Sequence, residues 1–598
     1  MTFQCLINLV VSFLSIALFI FFAMDGKNVQ GFYQKLYHKK LSRAALLKKR
    51  LKLQDLPSSH KKFIIIQVDG LSYSLLQDLR KTRYIPFLKK LLTHYHVNRY
   101  DPGYPSTTPF VQAGIMYNDN FNIPGFRFLD KKTQKQYTMG VAENARAIEQ
   151  EISSKNYGIL TGGTSIGNIF CGGAERSILT VAHLYKTESG QKKVRDILAL
   201  ILLNPLATLK VFYSSILEFC IELYESFLEI VTGLVRGKHF NWPFFFPYFP
   251  FFRTFVNATV REISTEAALL EMQRNVPYIY LTYGGYDWIS HYRGPESLSA
   301  FTLLRGIDAD VKKLYKIAKK NNYDFYVLSD HGQVPAIPFD RLYYESFESY
   351  VSKISNLQTK TLHSYDERNS RMKYVYYKLH YYYEHISFPL RIGVHTLLKF
   401  MGRQLRKEKD PRIDWKNRKQ ILMLYSSSLA QMYFTDSTHR CELAEIEKKY
   451  PGFVERLVSH PGVGFVIGKQ GNSIEIIHAK GRVIISGKDI KFSGERFLQI
   501  YGDEKKLIKQ ITYFAQLKYS GDLILNGAFD GKRIIAFEHF HFGSHDSIGG
   551  RQSDAFLISR DKVSLDHVIN AKELYGLFFA YHEAKKRVPS DEKLYKSK

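Results

Sequence analysis

The sequence predicts an α/β fold built on an open, mainly parallel sheet with helices on both faces. Four short runs rich in Ile, Val, Leu and Tyr end at, or lead directly to, an Asp or a His. Uninterrupted apolar runs of this length, bounded by Gly or Asp, are typical of strands that are buried on both faces. With 598 residues, of which 45% are hydrophobic, the chain is long enough for one large α/β domain with insertions. The runs and their ends occupy residues 63–70, 278–287, 325–332 and 534–545.

Acidic and imidazole side chains follow these predicted strands, where each strand ends or shortly after. They are Asp69, Asp287, Asp330, His331 and His545. Because ligands of open α/β sheets bind just outside the carboxyl ends of the strands, we expect these side chains to lie along one edge of the sheet. Carboxylates and imidazoles gathered at one edge predict a metallohydrolase.

Each of these motifs alone is more typical of an ordinary turn, because Asp and Gly supply turn geometry whatever the function. Their joint occurrence favours a metal site. Asp287 and His291 are four residues apart, so one helical turn would direct both side chains at the same point. Three carboxylates and three imidazoles are enough for two divalent metal ions with open positions, and they suit zinc, or else manganese, better than calcium.

A candidate nucleophile lies in a turn rich in Pro and Thr, at residues 104–110. With this turn included, the chain resembles the alkaline phosphatase superfamily, and within it the type I phosphodiesterase and nucleotide pyrophosphatase branch. That branch has a strand-end Asp, a nucleophile turn, Asp-x-x-x-His, Asp-His-Gly and a late His before Gly-rich sequence, and every element occurs here in that order. Thr108 falls on the nucleophile position, with Thr107 as the alternative register.

The resemblance implies an alkaline phosphatase-like sheet with two metal ions at its edge. One ion would be held by Asp287, His291 and His545, and the other by Asp69, Thr108, Asp330 and His331. The metals would activate the threonine hydroxyl for attack on phosphorus, and water would then remove the phosphothreonine intermediate. The last element departs from the branch because Asp546 stands where Gly is usual, and the neighbouring His539 and His541 are alternative ligands.

The residues after the nucleophile bear on the substrate class. Monoesterases of the superfamily place an Arg close to the nucleophile, where its guanidinium grips the extra phosphate charge. Here residues 109–112 are Pro-Phe-Val-Gln, which favours a phosphodiester or pyrophosphate substrate. An arginine from elsewhere in the chain, such as Arg127 or Arg293, would weaken this inference. The sulfatase branch is disfavoured because it needs Cys or Ser at the nucleophile position.

The first 24 residues are a separate signal. No charged side chain occurs from Phe3 to Ala23, and about 20 apolar residues cross a bilayer, so a transmembrane anchor is predicted in preference to a cleaved signal peptide. The basic residues that follow favour a cytoplasmic enzyme body, whereas many members of the superfamily work outside the cytoplasm, so the membrane face stays open. The net charge of +28 suits a membrane surface or a nucleotide. Nucleic acid is disfavoured because no binding motif for it accompanies the charge.

An apolar insertion lies between the nucleophile and the Asp-x-x-x-His motif. Residues 197–237 are rich in Leu, Ile and Phe, and Glu222, Glu225 and Glu229 recur at helical spacing, which predicts a helical hairpin with one acidic stripe. Prolines and aromatic side chains alternate over residues 240–252. Two interpretations stay open: contact with a lipid interface, or packing on the enzyme's own sheet.

Composition predicts an anchor or signal segment, a basic juxtamembrane segment, a catalytic core with its apolar insertion, a basic insertion, a smaller α/β subdomain and a C-terminal return to the core. The corresponding residues are 1–24, 25–62, 63–336 with the apolar insertion at about 195–253, 337–420, 421–520 and 521–598. The four cysteines are far apart in the chain and predict neither a disulfide framework nor a zinc knuckle.

The leading hypothesis is a membrane-associated, two-metal phosphodiesterase or pyrophosphatase that acts on a nucleotide-type small molecule or a lipid. The alternative within the superfamily is a transferase that passes a lipid phosphoethanolamine-like headgroup to another acceptor. The alternative of a different class is a noncatalytic protein that binds membranes or nucleic acid. The oligomeric state does not follow from the sequence.

Overall fold

The computed structural model describes residues 61–183, 205–235, 255–362 and 420–587, together with Lys48, residues 53–56 and Arg253. The chain divides into two compact units. The larger comprises residues 54–201, 205–361 and 414–598, and the smaller comprises residues 1–53, 202–204 and 362–413. The predicted anchor, residues 1–24, lies outside the described residues, and the site below belongs to the larger unit.

The strands alternate with helices through the first half of the chain and cluster in the second. In chain order the strands are β1 (Phe63–Val68), β2 (His96–Tyr100), β3 (Arg127–Asp130), β4 (Lys135–Thr138), β5 (Thr164–Ile166), β6 (Arg176–Ile178), β7 (Tyr278–Tyr283), β8 (Asp324–Leu328), β9 (Val334–Pro338), β10 (Gln358–Leu362), β11 (Gln420–Ser426), β12 (Leu429–Phe434), β13 (Val463–Gln470), β14 (Ser473–His478), β15 (Gly481–Ser486), β16 (Asp489–Gly494), β17 (Leu523–Gly527), β18 (Ile534–Ala536), β19 (Gly543–Ser544) and β20 (Ala555–Ser559).

The helices range from single turns to one of 31 residues. They are α1 (Tyr73–Leu79), α2 (Pro86–Leu91), α3 (Thr108–Tyr117), α4 (Ala142–Ser153), α5 (Pro205–Val235), α6 (Arg261–Gln273), α7 (Gly285–Arg293), α8 (Leu298–Lys320), α9 (Phe339–Tyr343), α10 (Phe347–Ser355), α11 (Leu443–Lys449), α12 (Phe453–Ser459), α13 (Glu504–Gln516) and α14 (Tyr575–Arg587). A π-helical segment (Phe255–Val260) precedes α6, and short 3₁₀ turns occur at Val181–His183, Phe497–Ile500, Gly550–Ser553 and Ala571–Leu574.

The central sheet has seven strands in the order β2-β20-β8-β1-β7-β5-β6. β1 pairs in parallel with β7, where Phe63 lies opposite Tyr278, and with β8, where Phe63 lies opposite Asp324. The edge-side strand β20 runs antiparallel to both β8 and β2, and the other strands share one direction. The prediction of an open, mainly parallel sheet is therefore confirmed.

Both faces of this sheet are covered, which explains why Gln67 is the one polar residue of β1. Phe63 and Ile65 point into a core cluster that includes residues of α3 and α14, and the Phe63 ring packs on Phe578 of α14. Ile64 and Ile66 point to the opposite face and are also fully buried. Burial on both faces selects an unbroken run of β-branched residues rather than an alternating one.

A second sheet of eight strands has the order β10-β11-β12-β17-β13-β14-β15-β16. Its pairs from β11 onward are antiparallel. The sheet overlaps the predicted subdomain of residues 421–520, but it also includes β17, beyond that range, and β10, which lies within the predicted basic insertion of residues 337–420. Residues 363–419 of that insertion are outside the described part of the chain.

One of the four strand predictions was wrong in its placement. The run at residues 534–537 was expected to be a fourth strand of the central parallel sheet. Instead, β18 pairs in parallel with β9 in a separate sheet of three strands, in which β19 is the third member. Only three residues of the run form a strand, β18, which is long enough for a short pairing with β9. The place next to β8 in the central sheet is taken by β20.

The described part of the apolar insertion is the single long helix α5, together with Arg253. Pro205 is its first residue, a position where the missing N–H of proline carries no cost. The first arm of the predicted hairpin, residues 197–204, and the aromatic segment at residues 240–252 lie outside the described residues. Within the described ranges, every helix is too short or too polar to cross a membrane.

Candidate active site

The turn after β1 places Asp69 at the carboxyl end of the central sheet. Asp69 is buried, and the next residue, Gly70, has a φ of +75°. A Cβ at Gly70 would lie 2.8 Å from Oδ1 of Asp287, so both the backbone conformation and the space require glycine here. The Gly70 N–H donates a hydrogen bond of 3.3 Å to Oδ1 of Asp330. This one turn therefore brings three carboxylates together.

The candidate nucleophile is the first residue of α3. Thr108 Oγ1 lies 3.4 Å from Oδ1 of Asp69 and 3.2 Å from Nε2 of His331. The alternative register is less well placed, because Thr107 is fully buried and its Oγ1 has no hydrogen-bond partner. Of the two threonines, it is Thr108 whose hydroxyl reaches the cluster of acidic and imidazole side chains.

A buried polar network fixes α3 on the sheet beneath this turn. The Nε2 of Gln112, one turn along α3, donates to Gln67 on β1, to Thr282 on β7 and to Asn168. Its Oε1 accepts a hydrogen bond of 2.8 Å from the backbone N–H of Ile169. The loop that contains Asn168 and Ile169 therefore contributes to the position of α3.

Helix α7 presents Asp287 and His291 to the same edge of the sheet. The helix begins directly after β7, and its two side chains are one turn apart, with Oδ2 of Asp287 3.4 Å from Nε2 of His291. The Nε2 of Gln333 donates to Oδ1 and to the backbone oxygen of Asp287, at 2.6 and 3.0 Å. The expectation that the Asp-x-x-x-His motif lies on one helical turn agrees with this geometry.

Asp330 and His331 follow β8, which is next to β1 in the sheet. Both are fully buried. Nε2 of His331 lies 3.4 Å from Oδ2 of Asp330 and 3.4 Å from Oδ1 of Asp69. Because β8, β1 and β7 are adjacent, the three acidic residues that follow them meet at one edge, as the strand-end argument predicts.

His545 reaches the site from the end of the chain through β19, which pairs with β9 directly after the Asp330-His331 turn. Its Nε2 lies 3.4 Å from Oδ1 of Asp287 and 3.0 Å from Nε2 of His291, and its ring stacks on His331 with centroids 3.8 Å apart. The backbone oxygen of His545 accepts a hydrogen bond from Ser428, which fixes this loop against the second sheet.

The two competing histidines lie elsewhere. His539 Nδ1 pairs with Oδ2 of Asp340 at 3.0 Å. His541 is buried behind His291, with ring centroids 4.3 Å apart, and its Nδ1 lies 3.0 Å from Oγ of Ser427. His541 therefore supports the ring of His291, while His545 occupies the position in the cluster.

All three imidazoles of the cluster turn the same nitrogen inward. Nδ1 of His291 lies 2.9 Å from the carbonyl oxygen of Gly543, and Nδ1 of His331 lies 3.1 Å from that of Gly332. Nδ1 of His545 lies 3.1 Å from the carbonyl oxygen of Ser106 and 2.8 Å from a carboxylate oxygen of Asp546. Carbonyl and carboxylate oxygens accept only, so each Nδ1 carries a proton and each Nε2 faces the site. Outer partners of this kind orient histidines that bind metals.

The carboxylates crowd each other strongly. Burial raises the pKa of Asp69 well above its usual value, and Asp330 and Asp287 raise it further. Burial, together with Asp287, also raises the pKa of Asp330 to about 6. Burial acts in the same direction on Asp287, but His291 and His545 outweigh it and hold the pKa of Asp287 below its usual value. The group as a whole favours a nearby positive charge.

The pKa values of the imidazoles are shifted in different directions. Burial and the neighbouring His545 lower the pKa of His331 to about 3, so this side chain is neutral near pH 7 and its Nε2 lone pair is available to a ligand. Burial disfavours the charged form of His545, but Asp546 and Asp287 outweigh it and raise the pKa of His545 to about 9. Burial and His291 lower the pKa of His541.

Two observations test whether these residues fit metal ions. Oδ2 of Asp330 is buried and has no hydrogen-bond partner, although a buried carboxylate oxygen normally has one. The Nε2 atoms of His291 and His545 face each other at 3.0 Å, an arrangement that needs a proton or a cation between them. Two groups at this site have ligand atoms within 4.8 Å of one another: Asp69, Asp330 and His331, and Asp287, His331 and His545. The oxygen and nitrogen donors fit a divalent transition metal such as zinc.

Two side chains of the site carry no role in the sequence reasoning above. Gln333 holds Asp287, and its place one residue after Asp-His-Gly is the signal that could have found it. Asp546 was recognised only as a departure from Gly. It retains the positive φ, 76°, that explains a preference for Gly, and its carboxylate adds a partner for Nδ1 of His545.

The two arginines considered as phosphate ligands are engaged elsewhere. Arg127 is buried in an ion pair with Glu538 and donates to the carbonyl oxygen of Tyr425. Arg293 forms ion pairs with Glu222 and Glu225 of α5. Both guanidinium groups are therefore paired with carboxylates away from Thr108. They do not weaken the inference of a diester or pyrophosphate substrate.

Comparison with known proteins identifies the family. The family model for type I phosphodiesterase / nucleotide pyrophosphatase matches residues 63–387, which is more than half of the 598 residues. The match includes six of the seven site residues and ends before His545. Among curated protein sequences, none matches the chain.

Two of the solved structures that match this chain are similar to it at low sequence identity. An inactive variant of murine ectonucleotide pyrophosphatase/phosphodiesterase 5 in complex with AMP is 11% identical, covers 88% of this chain and 95% of its own, and has a TM-score of 0.40. Phosphonoacetate hydrolase from Sinorhizobium meliloti, in complex with phosphonoformate, is 12% identical, with coverage of 88% and 97% and a TM-score of 0.39. The assignment therefore rests on the family model: the chain belongs to the type I phosphodiesterase/nucleotide pyrophosphatase family, as its motifs predict.

Proposed function

We propose that this protein is a metal-dependent phosphodiesterase or pyrophosphatase in which Thr108 is the nucleophile. The observation that carries the proposal is the position of Thr108 Oγ1, 3.4 Å from Asp69 and 3.2 Å from His331, beside three crowded carboxylates. Membership of the type I phosphodiesterase/nucleotide pyrophosphatase family supports hydrolysis of a phosphoric diester or a nucleotide pyrophosphate bond.

Two divalent ions, zinc in preference to manganese, would complete the site. One would be held by Asp287, His291 and His545, and the other by Asp69, Thr108, Asp330 and His331. Bound there, such ions lower the pKa of a hydroxyl and stabilise charge on phosphoryl oxygens. The unpartnered Oδ2 of Asp330 and the three inward Nε2 atoms support the binding of cations by these residues.

The reaction we propose has two displacements. Thr108 Oγ attacks phosphorus and forms a new P–O bond, while the bond to the leaving group breaks and that oxygen takes up a proton. A water molecule then attacks phosphorus from the same side that the leaving group vacated, and Thr108 leaves with its oxygen reprotonated. Thr108 is the first residue of α3, and the positive end of a helix favours the anionic phosphate there.

The enzyme is further proposed to be membrane-associated through residues 1–24. The support is the uncharged stretch from Phe3 to Ala23, whose length suits a bilayer. The net charge of +28 is compatible with anionic headgroups at the membrane surface.

The proposal is tested with two isosteric variants of adjacent threonines. The full chain in detergent is supplied with zinc or manganese, and hydrolysis of bis(4-nitrophenyl) phosphate is compared with that of 4-nitrophenyl phosphate. We expect the diester to be the better substrate. Thr108→Val should reduce turnover by a factor on the order of 10³ or more, because it removes the attacking oxygen.

Thr107→Val is the matched control. The Thr107 hydroxyl has no hydrogen-bond partner, so its replacement by a methyl group should leave turnover within about threefold of the parent enzyme, a free-energy difference below about 1 kcal/mol. Equal losses in the two variants would contradict the assignment of Thr108. Turnover that survives both metal removal and Thr108→Val would contradict the proposed mechanism altogether.

A further inference from the structure

Helix α5 has its polar face turned inward. Glu218 and Glu222 of this helix each accept a hydrogen bond of 2.8 Å from the buried guanidinium of Arg253. Glu225 lies 3.3 Å from Arg253, and Glu222 also pairs with Arg293 at the end of α7. Glu222 and Glu225 of the acidic stripe recognised in the sequence therefore attach α5 to Arg253 and to Arg293, which lies two residues after His291.

The opposite face of α5 is apolar and open to solvent. Among the residues of α5 whose side chains the structure describes, every exposed one is Leu, Ile, Val, Phe, Tyr or Cys. The exposed fraction reaches 63% for Leu209, 68% for Tyr213 and 61% for Phe227. From Leu209 to Val231 this face extends over about 33 Å, at 1.5 Å per residue. The amphipathic pattern is thus the reverse of that of an ordinary surface helix.

We propose that this outer face of α5 lies on a lipid bilayer, parallel to the membrane plane, with its apolar side chains among the acyl chains. Contiguous apolar surfaces of this extent mark a contact with a partner or a membrane. A protein partner normally meets hydrogen-bonding groups at regular intervals, whereas the exposed side chains of α5 that the structure describes offer only tyrosine hydroxyls and a thiol. Tyrosines are common where apolar surface meets headgroups.

The sequence on either side of α5 also supports contact with a lipid bilayer. Lys192, Lys193 and Arg195 precede the helix and Arg236 and Lys238 follow it. Basic residues beside an apolar face are typical of segments that lie on membranes with anionic lipids. The uncharged residues 3–23 would bring the same chain to a bilayer independently of α5.

A native thiol makes the proposal testable without disturbing the helix. Cys220 is exposed on the outer face, while Cys171 and Cys441 are buried. In a Cys5→Ser variant of the full chain, a nitroxide label is attached to Cys220, and the protein is reconstituted into vesicles of phosphatidylcholine and phosphatidylglycerol. Collisions of the label with molecular oxygen, which concentrates in lipid, and with a water-soluble nickel chelate are measured by electron paramagnetic resonance.

The control carries its label in an exposed turn far along the sequence. A Cys5→Ser, Cys220→Ser, Lys488→Cys variant places the nitroxide between β15 and β16, where Lys488 is exposed. We expect the label at Cys220 to collide with oxygen severalfold more often, and with the nickel chelate severalfold less often, than the label at Lys488.

Two other outcomes would overturn the proposal. If the label at Cys220 collides with both reagents as the control does, the face is in water. If both reagents are excluded, the face is covered by protein, either another segment of this chain or a second copy. Turnover of a soluble diester is recorded on the same samples, so a helix that fails to meet lipid is distinguished from a site that fails to act.

Discussion

At the scale of single residues, the site brings together buried carboxylates that repel one another. Asp69 and Asp330 are buried beside Asp287, and burial raises the pKa of the first two. A metal-free fold therefore bears the cost of carboxylates that a cation would neutralise. Such a cost is expected where function, rather than stability, selects the side chains.

Replacing Asp330 by the isosteric Asn should stabilise the metal-free protein. The pKa of Asp330 is raised from 3.8 to about 6 by burial and by Asp287, so above pH 6 the folded state holds a charge that the unfolded chain holds more easily. At pH 7 the difference corresponds to about 3 kcal/mol at most. The gain should appear in the free energy of unfolding by urea in the presence of a chelator, while zinc binding is lost.

Because the pKa of Asp330 is raised in the folded state, the stability gained in Asp330→Asn should depend on pH. As pH falls through 6 towards 4, folded Asp330 takes up a proton before the unfolded chain does, so the cost to the parent protein disappears and the gap to Asp330→Asn closes. The control Asp78→Asn changes an exposed carboxylate and should shift the free energy little at any pH. A loss of stability in Asp330→Asn at pH 7 would show that the crowding of carboxylates is not the dominant effect.

Gln333 acts on the metal site only through Asp287. Gln333→Leu keeps the volume of the side chain but removes the hydrogen bond of 2.6 Å to Oδ1 of Asp287. Loss of an outer partner of a metal ligand typically weakens metal affinity about 10–100-fold. Zinc titration of the chelated protein should show this weakening, whereas unchanged affinity would mean that α7 alone orients Asp287.

At the scale of elements, the predictable part of the fold was the centre of the sheet. β1 and β7 are buried throughout and β8 for the most part, so their sequences are mostly apolar, and an Asp follows each strand within a few residues. The run at residues 534–537 has the same composition but only three residues form a strand, and periodicity cannot distinguish a short connection from a central strand. The sequence also did not predict that the apolar face of α5 points outward. Helical periodicity identifies an apolar face, but it does not show what that face contacts.

The attachment of α5 depends on a buried arginine. Arg253→Gln would leave Glu218 buried without its charged partner and Glu222 paired with Arg293 alone, and breaking a buried ion pair typically costs about 3–5 kcal/mol. Lys313→Gln is the control, since Lys313 is partly exposed, pairs with Glu262 and Asp310 at 3.6 Å and should cost about 1 kcal/mol or less. Urea unfolding of both variants checks this, and equal costs would contradict the buried role of Arg253.

At the scale of the whole molecule, the site joins segments from residue 69 to residue 545. The strand-end rule predicts that Asp69, Asp287 and Asp330 meet, because their strands share one edge. Thr108 does not follow from that rule, because α3 is positioned by a buried polar network. His545 was expected at the same edge, but it arrives there through β19 beside β9 rather than at the end of a strand of the central sheet. The assignment of Thr108 depended on the family resemblance, and the match to the family model confirmed that resemblance at the level of the family.

Metal ions that join these segments should stabilise the whole larger unit. A ligand that binds the folded state alone adds about 2.7 kcal/mol at a free concentration 100 times its Kd. Zinc should therefore raise the Tm of the chelated protein by several degrees, and an Asp69→Asn, Asp287→Asn double variant should show no such rise. The same rise in the double variant would place the metal elsewhere.

The stereochemical course at phosphorus tests the central claim most directly. A diester made chiral at phosphorus with oxygen isotopes is hydrolysed by the metal-loaded full chain, and the configuration of the product is determined. Two in-line displacements, first by Thr108 and then by water, predict overall retention. Inversion would mean that water attacks the substrate directly, and it would contradict a phosphothreonine intermediate at this site.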